Sequence, residues 1–191
     1  PMIVERDLWL VKETNCRYHV NHISTKETVE IIRKAKKLGL PVTCDTSPPY
    51  FTLNELSLED YRTFSKLNPP LRSEEDRLSI IEGICDGTID AISSDHTPQD
   101  QDAKRLPFNQ AEFGGVGLET LLSLSLNLVK NKYISVEKLL RLLTVNPAKI
   151  LNLDYGMINE QSEADISVFD LSKSWKINPE SFFGKSKNSP F

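Results

Sequence analysis

Cysteine is scarce: there are three in 191 residues, Cys16, Cys44 and Cys85, with no C-x-x-C spacing. An odd count without a framework excludes a disulfide-stapled module and reads as a reduced, cytoplasmic chain. Each thiol reads as a small buried apolar group. Long apolar runs are missing too. The longest, residues 121–129, is broken by Ser123, Ser125 and Asn127. It falls short of the roughly 20 residues of a bilayer-spanning helix. No charged-then-apolar leader stands ahead of it, so nothing points to secretion. Clustered basic residues are also lacking, at a net charge of -4. A nucleic-acid surface is therefore not expected, because phosphate binding wants grouped Lys and Arg.

What is present is a strand–helix alternation. Residues 4–14 have an amphipathic helical pattern, and residues 17–23 read as a strand. On that strand Tyr18, Val20 and His22 share one side and His19 faces the helices. Ser24-Thr25-Lys26-Glu27 has the form of a capping box, with Ser24 as cap. Val29, Ile31, Ile32, Ala35 and Leu38 form a helical stripe that Gly39 ends. Val42-Thr43-Cys44-Asp45 is a second strand, which Ser47-Pro48-Pro49 breaks before a loop. Lys66-Leu67-Asn68-Pro69-Pro70 cannot be helical.

A helix begins at Ser73, its first-turn acids facing the positive dipole end, with Leu78, Ile81, Ile84 and Cys85 inward. Residues 88–94 make a third strand. A polar loop over 99–112 follows, with Lys104 and Arg105 on a solvated face. Helices are expected over 118–129, 136–143 and 147–151, and a detached strand over 164–170. Alternation of this kind implies parallel strands with covering helices. Three units cannot close a (β/α)8 barrel, which takes roughly 250 residues. They form a small open sheet or part of a larger barrel. The chain begins at Pro1, and the expectation is a piece of something longer.

In a parallel sheet, His22 and Asp95 sit at strand ends on the same edge. An imidazole and a carboxylate at such a mouth make a metal half-site. The bland alternative is a structural histidine and a capping aspartate. The glycines at 114, 115 and 117 lack the frame of a phosphate loop. His96 reads as a loop residue and His19 as a structural one.

Five strings in order carry a resemblance: Asn21-His22-Ile23-Ser24-Thr25; Val42-Thr43-Cys44-Asp45; Lys66-Leu67-Asn68-Pro69-Pro70-Leu71-Arg72; Asp86-Gly87-Thr88-Ile89-Asp90; and Ser94-Asp95-His96-Thr97-Pro98. Phe113-Gly114, Gly117-Leu118-Glu119-Thr120, Asn146-Pro147-Ala148 and Ala164-Asp165 continue it. The chain resembles dihydroorotases of the amidohydrolase superfamily, of the long bacterial type related to allantoinases and hydantoinases. The resemblance implies an α/β fold. Residues 1–152 would be the C-terminal portion of a (β/α)8 barrel, and residues 153–191 the incomplete start of a small β-domain. It implies a binuclear zinc site and cyclisation of N-carbamoyl-L-aspartate to dihydroorotate in pyrimidine synthesis.

By the same resemblance His22 and Asp95 are metal ligands, and Asp95 is also the general acid/base. Asn68, Gln99, Phe113 and Gly114 meet the small-molecule substrate. A metal lowers the pKa of water to roughly 7, which suits attack on an amide carbonyl. The family's His-x-His, bridging group and further ligand histidine are expected upstream of Pro1. Many relatives have histidine at the position of Gln99, and Pro-His-His where this chain has Pro48-Pro49-Tyr50. Those differences keep open a catalytically silent partner of aspartate transcarbamoylase; a hydantoinase or allantoinase is the other alternative. A homodimer is the other assembly expected.

Overall fold

Three short strands run parallel in chain order: β1 (Tyr18–Val20), β2 (Val42–Thr46) and β3 (Ala91–Ile92). The computed structural model describes residues 1–191. His19 pairs with Thr43, Val20 with Cys44, Asp45 with Ala91 and Thr46 with Ile92. Parallel neighbours need a crossover, usually helical. Helix α2 (Lys26–Lys37) joins β1 to β2, and α4 (Glu74–Asp86) lies between β2 and β3. The remaining helices are α1 (Met2–Thr14), α3 (Pro48–Thr52), α5 (Gln101–Arg105), α6 (Leu121–Lys130), α7 (Val136–Leu143) and α8 (Val145–Ile150).

The register sorts the two faces of the sheet. Val20, Val42, Cys44 and Ile92 turn toward the helices and meet Val29 and Ile32 of α2 and Ile80, Ile81 and Ile84 of α4. Leu128 of α6 and Leu139 and Leu142 of α7 close the same core. Gly83 of α4 lets Ile89 and Val29 approach the helix backbone. At the other end of the sheet, the Asp90 carboxylate accepts from Lys36 Nζ at 2.6 Å and from the Cys44 N–H at 2.8 Å. That one side chain ties β3 to β2 and to α2.

Several expectations need correction. Thr25, not Ser24, caps α2, accepting from the Thr28 N–H. Ser24 is buried, and Asp76 of α4 accepts the Lys26 N–H at 2.8 Å, so a distant carboxylate serves this helix start. Tertiary contact thus replaces the local box. Leu78 is exposed; Ile80, not Leu78, completes the inner face of α4. Pro48 and Pro49 open the short helix α3, as prolines can in a first turn that needs no N–H donor. The polar loop after Asp95 contains α5. No strand forms over residues 164–170: Ile166 and Val168 are exposed and no edge pairs with them. Near the end of the chain Phe182, Asn188 and Ser189 are buried. No helix is long and apolar enough to cross a membrane.

Ile80 is fully buried between the sheet and its helices. Ile80→Ala should lower unfolding stability by about 2–5 kcal/mol, through lost transfer energy and the cavity left behind. Urea titration should find a lower midpoint with an unchanged slope.

Candidate active site

Both candidate ligands stand just past a strand end, in the left-handed backbone region: His22 at φ 52° and Asp95 at φ 47°. Non-glycine residues rarely adopt it, and something must hold them there. For His22 the holder is Asp45, at the end of β2. Its Oδ1 accepts the His22 N–H at 2.7 Å and lies 3.1 Å from His22 Nδ1. Ser93 Oγ donates to the same oxygen at 3.0 Å. The other oxygen, Oδ2, lies 3.1 Å from His19 Nε2, while His19 Nδ1 meets Thr43 Oγ1 at 2.7 Å.

His19 therefore does not face the helices, contrary to the expectation from the sequence. The helix side belongs to Val20 and Cys44, and His19, Thr43 and Asp45 share the opposite face. His22 joins them because the chain leaves the extended conformation after Val20.

With Nδ1 turned to Asp45 Oδ1 and 3.2 Å from Ser93 Oγ, the free edge of the His22 ring is Nε2. It points to Asp95 Oδ1, 3.5 Å away. The structure thus brings His22 and Asp95 together. The hydrogen bond to Asp45 draws the His22 pKa up, burial opposes it, and the Asp95 charge adds to the rise. Burial alone would raise the Asp45 carboxyl. The hydrogen bonds from His19 and His22 outweigh it and hold that carboxyl well below its usual range. Asp95 moves upward, chiefly from burial, with His22 and Tyr50 opposing. Tyr50 of α3 donates to Pro69 O at 2.8 Å and lies 3.4 Å from Asp95 Oδ2.

The other candidates form a second group. Gln99 Nε2 donates to Phe113 O at 2.9 Å, and the Gly114 N–H donates to Lys66 O at 3.0 Å. Phe113 is half-exposed, with Lys66 Nζ 5.2 Å from its ring centre. Asn68 lies two residues beyond Lys66, exposed, and a cis bond joins it to Pro69. Thr97 links this group to Asp95: its N–H donates to Gly115 O and its Oγ1 to Asp95 O. His96 Nδ1 accepts the Gly117 N–H at 3.1 Å and so holds the same loop. Arg105 is exposed as expected, but Lys104 is fully buried.

The sequence of the amidohydrolase family matches residues 5–190. This chain belongs to that family. Among its relatives, dihydroorotase from Anaplasma phagocytophilum is 48% identical over 191 residues. Dihydroorotase from Desulforapulum autotrophicum is 46% identical over 190 residues. Each match covers 100% of this chain but only 43% and 44% of those proteins. L-hydantoinase from Arthrobacter aurescens superposes with a TM-score of 0.91 at 32% identity, over 98% of this chain and 43% of that one. The inactive dihydroorotase-like domain of the Chaetomium thermophilum CAD-like multifunctional protein gives 0.58 at 27%, over 76% of this chain and 40% of that one. The parallel sheet and its helices are thus part of an amidohydrolase barrel.

No cluster of three or more His, Cys, Asp or Glu side chains forms a cation cage in this amidohydrolase chain. The pair His22 and Asp95 does fit two corners of one. Two ligands on a tetrahedral zinc stand roughly 3.4 Å apart for bonds of about 2.1 Å, against the 3.5 Å between Nε2 and Oδ1. Asp45 orients the ring from behind, as carboxylates do for metal-binding histidines.

No role in the site was assigned from the sequence to Asp45, His19, Ser93 or Tyr50. A paired register of β1 with β2 would have found the first two, since it sets His19 and Asp45 on one face. The site also depends on a close backbone approach. A Cβ at Gly117 would collide with the Ser94 carbonyl, next to Asp95. Gly117→Ala should destabilise the chain by about 1–3 kcal/mol through this overpacking. Gly184→Ala, where a Cβ meets nothing within 4 Å, is the control and should leave thermal unfolding unchanged.

Proposed function

We propose that this chain forms the C-terminal part of the barrel of a zinc-dependent dihydroorotase, with His22 and Asp95 as two of its metal ligands. The observation that carries the reading is the 3.5 Å approach of His22 Nε2 to Asp95 Oδ1, with the opposite ring nitrogen anchored on Asp45. The dihydroorotase names of relatives at 46–48% identity across the chain favour this substrate class over hydantoins. The hydantoinase likeness, at 32%, supports the reaction type. Residues 1–152 would be the barrel part and 153–191 the approach to a small β-domain.

Bound zinc would supply a water acidified to a pKa of roughly 7 and a polarised amide carbonyl. Asp95 handles the proton. In ring opening, its carboxylate takes the proton that the attacking water gives up. It returns that proton to the ring nitrogen as the C–N bond breaks. Cyclisation runs the same transfers in reverse and releases water. His22 stays fixed, its Nδ1 proton on Asp45. Gln99, Asn68 and the Phe113–Gly114 segment border the substrate. Gln99 contributes hydrogen bonds without charge.

The intact zinc-loaded protein should interconvert carbamoyl-aspartate and dihydroorotate. Asp95→Asn should lower kcat by about 10²–10⁴-fold, the usual contribution of a positioned acid/base. The 191-residue chain alone should show no turnover, having at most two of the ligands. An inactive intact protein that co-purifies stoichiometrically with aspartate transcarbamoylase would support the silent-partner reading suggested by Gln99 and Pro49-Tyr50.

A further inference from the structure

Lys104 is the largest fully buried side chain in the molecule, on a five-residue helix whose Gln101, Asp102 and Arg105 are exposed. Its Nζ donates to three backbone carbonyls: Glu112 O at 2.9 Å, Gly114 O at 3.1 Å and Lys66 O at 3.3 Å. An ammonium has three N–H bonds, and each has an acceptor. The carbonyls belong to two segments, one leading to Asn68 and one running through Phe113. The placement of Lys104 is itself fixed. Asp100 caps α5, Thr63 Oγ1 donates to Lys104 O, and the Glu112 N–H donates to Ala103 O.

We propose that Lys104 is a positioning residue, whose buried ammonium locks the Phe113–Gly114 turn and so sets the substrate-facing edge of the site. The substrate part of this proposal rests on the dihydroorotase reading. A charge is expensive to bury, and an apolar side chain would pack the same space without that cost. Such a side chain would leave Glu112 O without a donor and take one of two donors from Gly114 O and Lys66 O. The turn it would have to hold is demanding. Gly114 adopts φ 111°, and a Cβ there would strike Thr97. Its N–H donates to Lys66 O, the same carbonyl that Lys104 grips. Its carbonyl is shared between Lys104 and Asn188 Nδ2, each at 3.1 Å. Both peptides flanking Gly114 are thereby tied, with Phe113 O held by Gln99.

Burial, helped by the nearby Lys66 charge and opposed by Glu112, pulls the Lys104 amine down to about 8. The three carbonyl dipoles favour the charged form.

The test uses the intact protein and two readouts: amide hydrogen exchange across residues 112–117, and steady-state kinetics with carbamoyl-aspartate. Lys104→Met should speed exchange at Gly114 and Val116 by about 10-fold or more. It should raise KM by about 10-fold with kcat within about 3-fold, the signature of lost substrate binding. Bound zinc should be unchanged. Wild-type exchange with wild-type KM would overturn the proposal. So would equal losses of kcat and kcat/KM with loss of zinc, because that would make Lys104 a support of the metal centre. If the Met variant does not fold, Lys104→Gln carries the same readouts. It keeps an N–H donor and should fall between wild type and Met; wild-type exchange and KM in it would overturn the proposal. A wild-type protein inactive on carbamoyl-aspartate would overturn the dihydroorotase reading instead, and the exchange result would still decide whether Lys104 holds the turn.

Discussion

One carboxylate organises the site. The two oxygens of Asp45 face the rings of His19 and His22, the His22 backbone N–H and the Ser93 hydroxyl. A carboxylate offers about four acceptor positions, so little capacity is left over. This saturation explains how β1 can end in a left-handed residue. The backbone strain at His22 is offset by a charge-assisted bond to its own N–H, and the same oxygen meets its ring. The ring is thereby aimed, and Asp95 finds it from the end of β3, on the far side of β2. Removing the Asp45 carboxylate would free the loop and the imidazole together.

The fold was legible where a local rule and tertiary packing agree. The α4 start at Ser73 is such a case: the hydroxyl caps the helix and three acids follow it. The parallel arrangement followed from strands alternating with helices. Legibility failed where a distant residue displaced a local partner. The start of α2 is served by Thr25 and by Asp76 of α4, where a box of Ser24 and Glu27 was expected. It failed again where alternation was extrapolated past the end of a strand. His22 was assigned with Tyr18 and Val20 by counting in twos, but the backbone turns at 22. The apolar alternation over 164–170 looked strand-like, yet β structure needs a partner edge and none is present.

In the candidate site, His22 and Asp95 stood out as chemically capable residues at strand ends. Asp45 did not, since one more acidic residue at the end of a strand carries no sign of its partners. Lys104 was misjudged for a related reason. A Lys-Arg pair in a polar loop looks solvated, and only the folded loop reveals that one of the two amines faces inward. Between them, Lys66 and Lys104 cap five backbone carbonyl contacts of this loop system. Cationic side chains here do the work that strands and helices do elsewhere, satisfying backbone groups that irregular segments leave open.

Asn188 joins chain regions made at very different times. Its Nδ2 donates to Thr97 O, 91 positions earlier, and its Oδ1 accepts the Gln99 N–H. During synthesis the sheet and its helices can assemble long before residue 188 leaves the ribosome. The mouth beside Asp95 cannot: its last clasp arrives with the final residues of this stretch. The mouth beside Asp95 is therefore complete only once the residues around Asn188 have closed on it.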